Sequence, residues 1–458
     1  MKKRIALFGL LAAALTGAAT AQTKIRLTGS TAFRAATHTA IGNILQPGYT
    51  YAYTGTNFTG AGAAIFTGTT KAPTNLPVII KTSWSGSVGG VKTIAQNLTL
   101  STFLADSTTQ STGGTQNAPA NVNEPAVTAD VAMSDSFQNS TEFRTPVMVD
   151  KVVGVIPFQW VRNNGSPTAI SNMTPLLAGN LLSGGILLSQ FTGNPADNGT
   201  IVYAVGRDED SGTRLTTFAE SFFGVFSSPT QYEAIGSPSI TDIVPYHVNT
   251  VLGTTYGLGH SGYASGGTLV TVLNTPGSNT TSANPGWLVG YAGVSDAAGV
   301  TAGVQATATA TVGAGAVTAV TVGTGGTLYN SNPAVTFSGG GGSGAAATAT
   351  VVNGVVTAIT VTSGGTGYTS APTVAIRSGA TLKWNGFDYS PAAVREGQYT
   401  FWSYEHLLYR SGYAQSAVAD QLANQIKNVD APLSGIQLST MNVGRPVEGG
   451  DVTPGNPF

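Results

Sequence analysis

The sequence predicts an α/β fold carrying an inserted β-rich repeat module, and three observations lead there. Strand-like and helix-like segments alternate along most of the chain. Three of the strands run through Gly, Ser and Thr directly into a helix. One stretch repeats itself with the two-residue period of a β-strand.

The alternation begins with Lys24 to Thr28, a short strand, followed by helical spacing over Thr31 to Leu45 with Ser30 placed as N-cap. Leu76 to Ser83 reads as a strand and Val91 to Asn97 as a helix. Val147 to Trp160 reads as a buried strand pair, Ile201 to Gly206 as a strand, and Arg214 to Phe226 as a helix. Two stretches, 50–75 and 105–128, are rich in Gly, Thr, Ser, Asn and Ala and show neither period, so they are expected as surface insertions. The Gly/Pro-rich tail, 444–458, is expected to be loose.

The repeat lies between these elements. GAVTAVTVGTGGTLYNSNPAVTF begins at Gly315, and GVVTAITVTSGGTGYTSAPTVAI begins at Gly354. Val and Ile alternate with Thr and Ala in both, and Gly-Gly, Asn-Gly and Pro mark turns. Two such units are marginal as a solenoid, so they are expected to pack on each other or on the host domain.

Composition narrows the function. Lys2, Lys3 and Arg4, the apolar run Ile5 to Leu15 and the small-x-small site Ala19-Thr20-Ala21 read as a signal peptide over residues 1–21, cleaved near Ala21. The apolar run is too short to cross a bilayer, and no later run is long enough. The mature protein is therefore expected to be periplasmic or secreted, without membrane insertion. There is no cysteine, which excludes disulfides, thiolate metal sites, a cysteine nucleophile and a lipid-anchor cysteine. Without the three leader cations, the 20 basic residues fall to 17 against 21 acidic ones, so the basic footprint of a nucleic-acid binder is absent. No G-x-S-x-G elbow or P-loop is present. His38, His247, His260 and His406 show no metal spacing. The chain is read as a non-enzyme without cofactor.

The strand-to-helix turns carry the binding chemistry. KIRLTGSTAF (24–33), VIIKTSWSGSVGGVKTI (78–94) and IVYAVGRDEDSGTRLTTF (201–218) each place unpaired amides and small hydroxyls at a helix start. Helix dipoles are positive there, so an anion is favoured. A single such turn is more often a plain helix cap. Three in one chain, one of them with Arg207, point to an anion site.

These pieces resemble, in order, the phosphate-binding proteins of Pst-type ABC transporters, a branch of the type II periplasmic binding proteins. LTGSTAF and SGSVGGVKTI resemble the family's first two turns, and DVAMSDSF (130–137) its G-x-S-D segment. GRDEDSGTRLTTF resembles its Arg followed by Ser-Gly-Thr. GLGHSGYASGGTLVTVL, GWLVGYAGVSDA and SPAAVREGQYTFWSYEHLLYR resemble later segments. The resemblance implies a two-lobed fold and a site drawn from both lobes: Ser30, Thr31, Ser87 and Asp135 from the first, Arg207, Ser211, Gly212 and Thr213 from the second. Glu209 would orient Arg207 or assist Asp135. A tetrahedral oxyanion needs hydroxyls, amides and a guanidinium fork, and a carboxylate rewards the proton that phosphate carries and sulfate lacks. Asp210 stands where the family prefers Gly.

The implied organisation is lobe 1 over 22–150 and 381–443, lobe 2 over 151–296, and the inserted β repeats over 297–380. The implied partners are inorganic phosphate or a similar oxyanion and an ABC permease, with the chain acting as a monomer. The rival reading is a secreted structural or adhesive surface protein on a binding-protein scaffold, favoured by the low charge and the Gly/Thr-rich repeats.

Overall fold

The structure, a computed structural model, describes residues 22–119, 123–164, 166, 167, 169–236, 240–275, 286–300, 306–327, 329, 333–377, 380–455, 457 and 458. The signal peptide expected over residues 1–21 lies outside the described residues. The apolar run of the first strand, β1 (Thr23–Gly29), is covered on both sides by parallel partners, β4 (Pro77–Ser83) and β5 (Val131–Ser134). The edge continues antiparallel through β3 (Ala63–Thr69) to β2 (Thr50–Tyr53). Successive strand residues serve opposite faces: Ala132 packs with Val91 and Ile94 of helix α2 (Ser87–Gln96). Met133 joins the core that contains helix α1 (Arg34–Ile44) and Leu422 of a late helix, α5 (Ser416–Gln425).

The strand that links the two halves of the sheet is β6 (Met148–Arg162), a strand of 15 residues. Its first part pairs with β16 (Trp402–Arg410), which joins β5 and so belongs to the first lobe. From Phe158 onward it pairs with β9 (Gly286–Gly293) of the second lobe, which lies parallel to β8 (Ile201–Val205), with β7 (Ile186–Leu187) at the edge. Pro157, which lacks an N–H, stands where β6 changes partner. The sheet order is β7-β8-β9-β6-β16-β5-β1-β4-β3-β2. The second lobe adds helices α3 (Gly212–Glu220) and α4 (Gly266–Asn274), the latter burying Leu269 and Leu273 against Leu288.

Several expectations need correction. Val147 to Trp160 is not a strand pair but most of one unbroken strand. The lobes therefore change at Pro157–Phe158, not at residue 150. Ser30 is not the cap of α1, which starts at Arg34 with Phe33 before it and no side-chain cap. The 50–75 stretch is no surface insertion in its strand-forming parts: β2 and β3 complete the sheet, and Ala52, Ile65 and Phe66 are fully buried. Tyr51, Tyr53, Phe58 and Phe66 gather with His38, whose ring is bonded to Thr82 Oγ1 (2.9 Å) and the Phe58 carbonyl (2.9 Å). Burial lowers that imidazole to about 4, so it is a neutral structural group. The 105–128 stretch is largely irregular, yet Glu124 pins it to Arg26 (2.6 Å) and to the buried Lys81 (2.9 Å).

The tail is not loose. Arg445 is 2% exposed, stacks on Trp402 at 4.1 Å and forms an ion pair with Glu220, the last residue of α3. Its Nη2 donates to the Thr400 carbonyl (2.6 Å), and Gly449 N–H donates to Glu220 (3.2 Å). Glu448 accepts from Phe137 N–H (2.6 Å) and from Ser140. The tail thus ties a second-lobe helix to β16.

The repeats form one sheet of six strands. Unit one comprises β10 (Thr307–Gly313), β11 (Ala316–Thr324) and β12 (Ala334–Ser338). Unit two comprises β13 (Ser343–Val352), β14 (Val355–Thr366) and β15 (Thr373–Arg377). The order β11-β10-β15-β12-β13-β14 shows that each hairpin takes its third strand from the other unit. Both hairpins turn through two residues of positive φ, Ala314-Gly315 and Asn353-Gly354, the geometry that matches strand twist. Tyr329 N–H donates to the Gly354 carbonyl (2.9 Å), and Tyr368 N–H donates to the Gly315 carbonyl (2.9 Å). Neither unit closes alone. The module has its own core, including Val317, Tyr329, Ile359 and Tyr368. It is narrower than 297–380: Ala297 and Val300 belong to the second-lobe core, and Ala380–Thr381 pairs with β6.

Two outcomes follow. Replacing 306–377 by a short Gly/Ser linker should leave a protein that unfolds in one cooperative transition by circular dichroism, because loop length costs little; loss of that transition would make the module integral to the host. Arg445→Ala should cost about 3–5 kcal/mol in urea unfolding, since it strands Glu220 as a buried unpaired charge. A cost under about 1 kcal/mol would show that the tail does not fasten α3.

Candidate functional site

Three strands of the first lobe end side by side, and their turns meet. Ser30 N–H donates to the Met133 carbonyl (2.8 Å), and Gly86 N–H donates to the Gly29 carbonyl (2.9 Å). Gly86, with φ +90, sits just before α2, which begins at Ser87. From the second lobe, β8 leads through 206–211 into α3. Ser211 caps α3, accepting from Arg214 N–H at 3.2 Å. The helix starts therefore oppose one another, and Gly89 N–H of α2 donates to the Asp210 carbonyl (3.1 Å) across the gap.

Asp135 lies between these helix starts, 2% exposed. Its Oδ2 accepts from Thr213 Oγ1 at 3.3 Å. A Cβ on Gly212 would collide with Oδ1, so only glycine permits this approach. Burial raises the Asp135 carboxyl, opposed by the Ser87 hydroxyl, the Arg207 charge and Thr213. Its Oδ1 has no hydrogen-bond partner among the described residues, nor do Ser136 Oγ and Glu405 Oε1, all buried. Buried polar atoms are nearly always paired, so these three make this a candidate binding position.

The predicted residues divide accordingly. Ser87, Asp135, Gly212 and Thr213 come together at the facing helix starts. Arg207, 2% exposed, donates from Nε to the Tyr263 carbonyl (2.9 Å) and from Nη2 to the Ala264 carbonyl (2.9 Å). Those bonds hold the fork, and Nη1 has no protein partner among the described residues. Ser211 is occupied as a cap. Glu209 does not orient Arg207: it accepts from Ser261 Oγ (2.9 Å) and lies 3.3 Å from Arg214. Ser30 bonds Glu405 Oε2 (3.2 Å), while Thr31 offers its carbonyl to Arg34 Nε (2.8 Å) and its hydroxyl bonds nothing among the described residues.

Sequence reasoning missed Glu405, Ser136, Arg34 and Asp296. Glu405-His406 is an ionisable pair inside the apolar strand run TFWSYEHLLY, a visible signal. Arg34 lies in the field of both Arg207 and Asp296; burial lowers the guanidinium and raises Asp296. Among the described residues no three His, Asp or Glu side chains gather as a metal site, and no helix is long and apolar enough to cross a membrane.

The acidic loop is the electrostatic cost of this design. Burial pushes Asp208 up to about 6 and Asp210 up to about 8, the latter helped by Asp208. Asp210 also lines a cavity of about 200 Å³ beside the facing helices, with Lys92, Phe143, Leu215, Phe218 and Phe226. Asp210 is 5% exposed, and its carboxyl accepts no hydrogen bond among the described residues.

No protein-family profile matches the sequence, and no curated protein matches it either. Solved structures do align over most of its length. An ABC-type phosphate transport receptor from Vibrio cholerae aligns over 90% of this chain and 96% of its own, at 10% identity and a TM-score of 0.39. PstS from Borrelia burgdorferi aligns over 90% and 96%, at 9% identity and a TM-score of 0.34.

The loop yields a pH prediction. Asp210 binds its proton more tightly when folded, so its contribution to stability is present at low pH and lost as pH rises from about 4 through about 8. Asp210→Asn should flatten the decline of the urea midpoint between pH 5 and 8. Parallel wild-type and variant curves would place the carboxyl in solvent.

Proposed function

We propose that this chain is an extracytoplasmic solute-binding protein that captures phosphate, or a closely similar oxyanion, between its lobes for ABC-type uptake, and that it catalyses no reaction. The observation that carries the reading is Asp135, buried between the starts of α2 and α3 with one oxygen unpartnered and Arg207 acting on it. Helix starts supply amides and positive potential, Ser87 and Thr213 supply hydroxyls, and Arg207 supplies charge. This set suits an anion. An ionised Asp135 in its midst suits an anion that brings its own hydrogen-bond donor, which phosphate does near neutral pH and sulfate does not.

The same elements explain capture without chemistry. Ser87 and Asp135 ride on the first lobe, and Arg207 and Thr213 ride on the second, so a ligand touching both favours closure about β6. The closed form would be the one presented to a permease.

Isothermal titration should show phosphate binding far more tightly than sulfate, and Arg207→Ala should weaken phosphate binding by about 2–5 kcal/mol. Asp135→Asn should narrow the gap between the two anions. Equal heats with phosphate and sulfate, or wild-type affinity in a folded Arg207→Ala protein, would contradict the reading.

A further inference from the structure

We propose that Glu405 is a second ligand-binding carboxyl of this site, sharing one proton with Asp135 so that the pair offers a bound oxyanion one donor and one acceptor. The inference rests on the oxyanion reading above and adds the residue that sets the proton content of the bound ligand.

The geometry comes from strand register. β16 runs antiparallel to β5, and the ladder ends with His406 opposite Ser134, so Glu405 and Asp135 both leave it at the same end. Ser30, whose N–H bonds the Met133 carbonyl, holds Glu405 there. Like charges brought near one another away from water are unfavourable. Glu405 is 0% exposed and Asp135 2%. Each spends one oxygen on a hydroxyl, Glu405 on Ser30 (3.2 Å) and Asp135 on Thr213 (3.3 Å). Asp135 Oδ1 and Glu405 Oε1 have no partner in hydrogen-bond geometry among the described residues, nor has the Ser136 hydroxyl, while the Ser87 hydroxyl also bears on the Asp135 carboxyl.

Two buried carboxylates so placed do not both ionise. The groups facing Glu405 decide which one keeps the proton. β6 presents Gly154, the turn after β1 presents Ser30, and β5 presents Asp135. Neither Gly154 nor Ser30 is charged. His406, the next residue along β16, pairs instead with Asp150 (2.8 Å). Arg207 acts on Asp135, whereas the charge acting on Glu405 is that of Asp135 itself. Burial, then Asp135, push the Glu405 carboxyl well above its usual range. Glu405 therefore holds the shared proton more firmly and donates to a ligand oxygen, while Asp135 accepts from a ligand hydroxyl. A hydrogen-bearing tetrahedral oxyanion meets both demands. A fully ionised one leaves Asp135 facing a bare oxygen.

The test compares wild type, Glu405→Gln and Asp135→Asn. In the ligand-free proteins, a shared proton held by the folded state makes wild-type stability fall as pH rises above the ordinary carboxylate range. Both variants, followed by urea unfolding from pH 5 to 9, should show a flatter fall. If one variant does not fold, the other decides alone, and slopes equal to wild type overturn the pair. In titrations with inorganic phosphate, wild-type affinity should fall about tenfold more than that of Glu405→Gln between pH 6.5 and 9. Parallel affinity profiles would remove Glu405 from ligand binding. Absence of phosphate binding by wild type at every pH would instead sink the oxyanion reading, and the ligand-free slopes would still decide whether the proton is shared.

Discussion

The approach of the two helix starts depends on one contact, the Asp135 carboxyl held between the starts of α2 and α3. Without a side chain at Gly212, α3 comes close enough for Thr213 to reach that carboxyl. Gly86 and Gly89 let α2 approach the Asp210 backbone from the other side. Everything else accommodates this approach. β6 carries the chain from lobe to lobe, and the tail fastens the far end of α3 to β16 through Glu220 and Arg445. A carboxyl removed from water in this way is costly unless it is paired. The positive helix starts, Arg207 and a proton on the neighbouring Glu405 are what reduce that cost.

Much of this was legible in the sequence, for a local reason. β1, β4 and β8 are short apolar runs that end in Gly or small hydroxyl residues, and each flows into a helix, so period and punctuation agree. The GRDEDSGTR segment, through its resemblance to the family's Arg followed by Ser-Gly-Thr, pointed to Gly212 and Thr213, which the structure sets beside Asp135. The failures share a cause as well, which is dependence on distant partners. β2 and β3 look like Gly/Thr-rich coil because their alternation is short. They become strands because β4 offers an edge and because Tyr51, Tyr53, Phe58 and Phe66 find His38. The tail reads as loose by its Gly and Pro content, yet Arg445 and Glu448 bind residues 225 and 311 positions away. Glu405 becomes a candidate site residue only once β16 pairs with β5 and carries it to the end of that ladder, within the field of Asp135. Glu209, read as the partner of Arg207, is held instead by Ser261 and Arg214, because β8 and the 206–211 turn send consecutive side chains in different directions.

The repeat module follows a separate rule. A single unit of hairpin plus strand leaves its third strand without a partner, and the two units settle this by exchanging third strands and by binding each other's turns through Tyr329 and Tyr368. The result is a unit with its own core, joined to the second lobe beyond Val300 and before Ala380, next to the strand that crosses between lobes.

The proposed function comes down to a position, the point where Ser87, Asp135, Arg207 and Thr213 converge. Crystals grown with arsenate, a tetrahedral oxyanion that carries a proton as phosphate does, locate the ligand through anomalous scattering from arsenic. A single strong peak is expected between the starts of α2 and α3, within hydrogen-bond distance of Asp135 and Arg207. A peak confined to the cavity lined by Lys92 and Phe226, or to surface lysines, would contradict that placement.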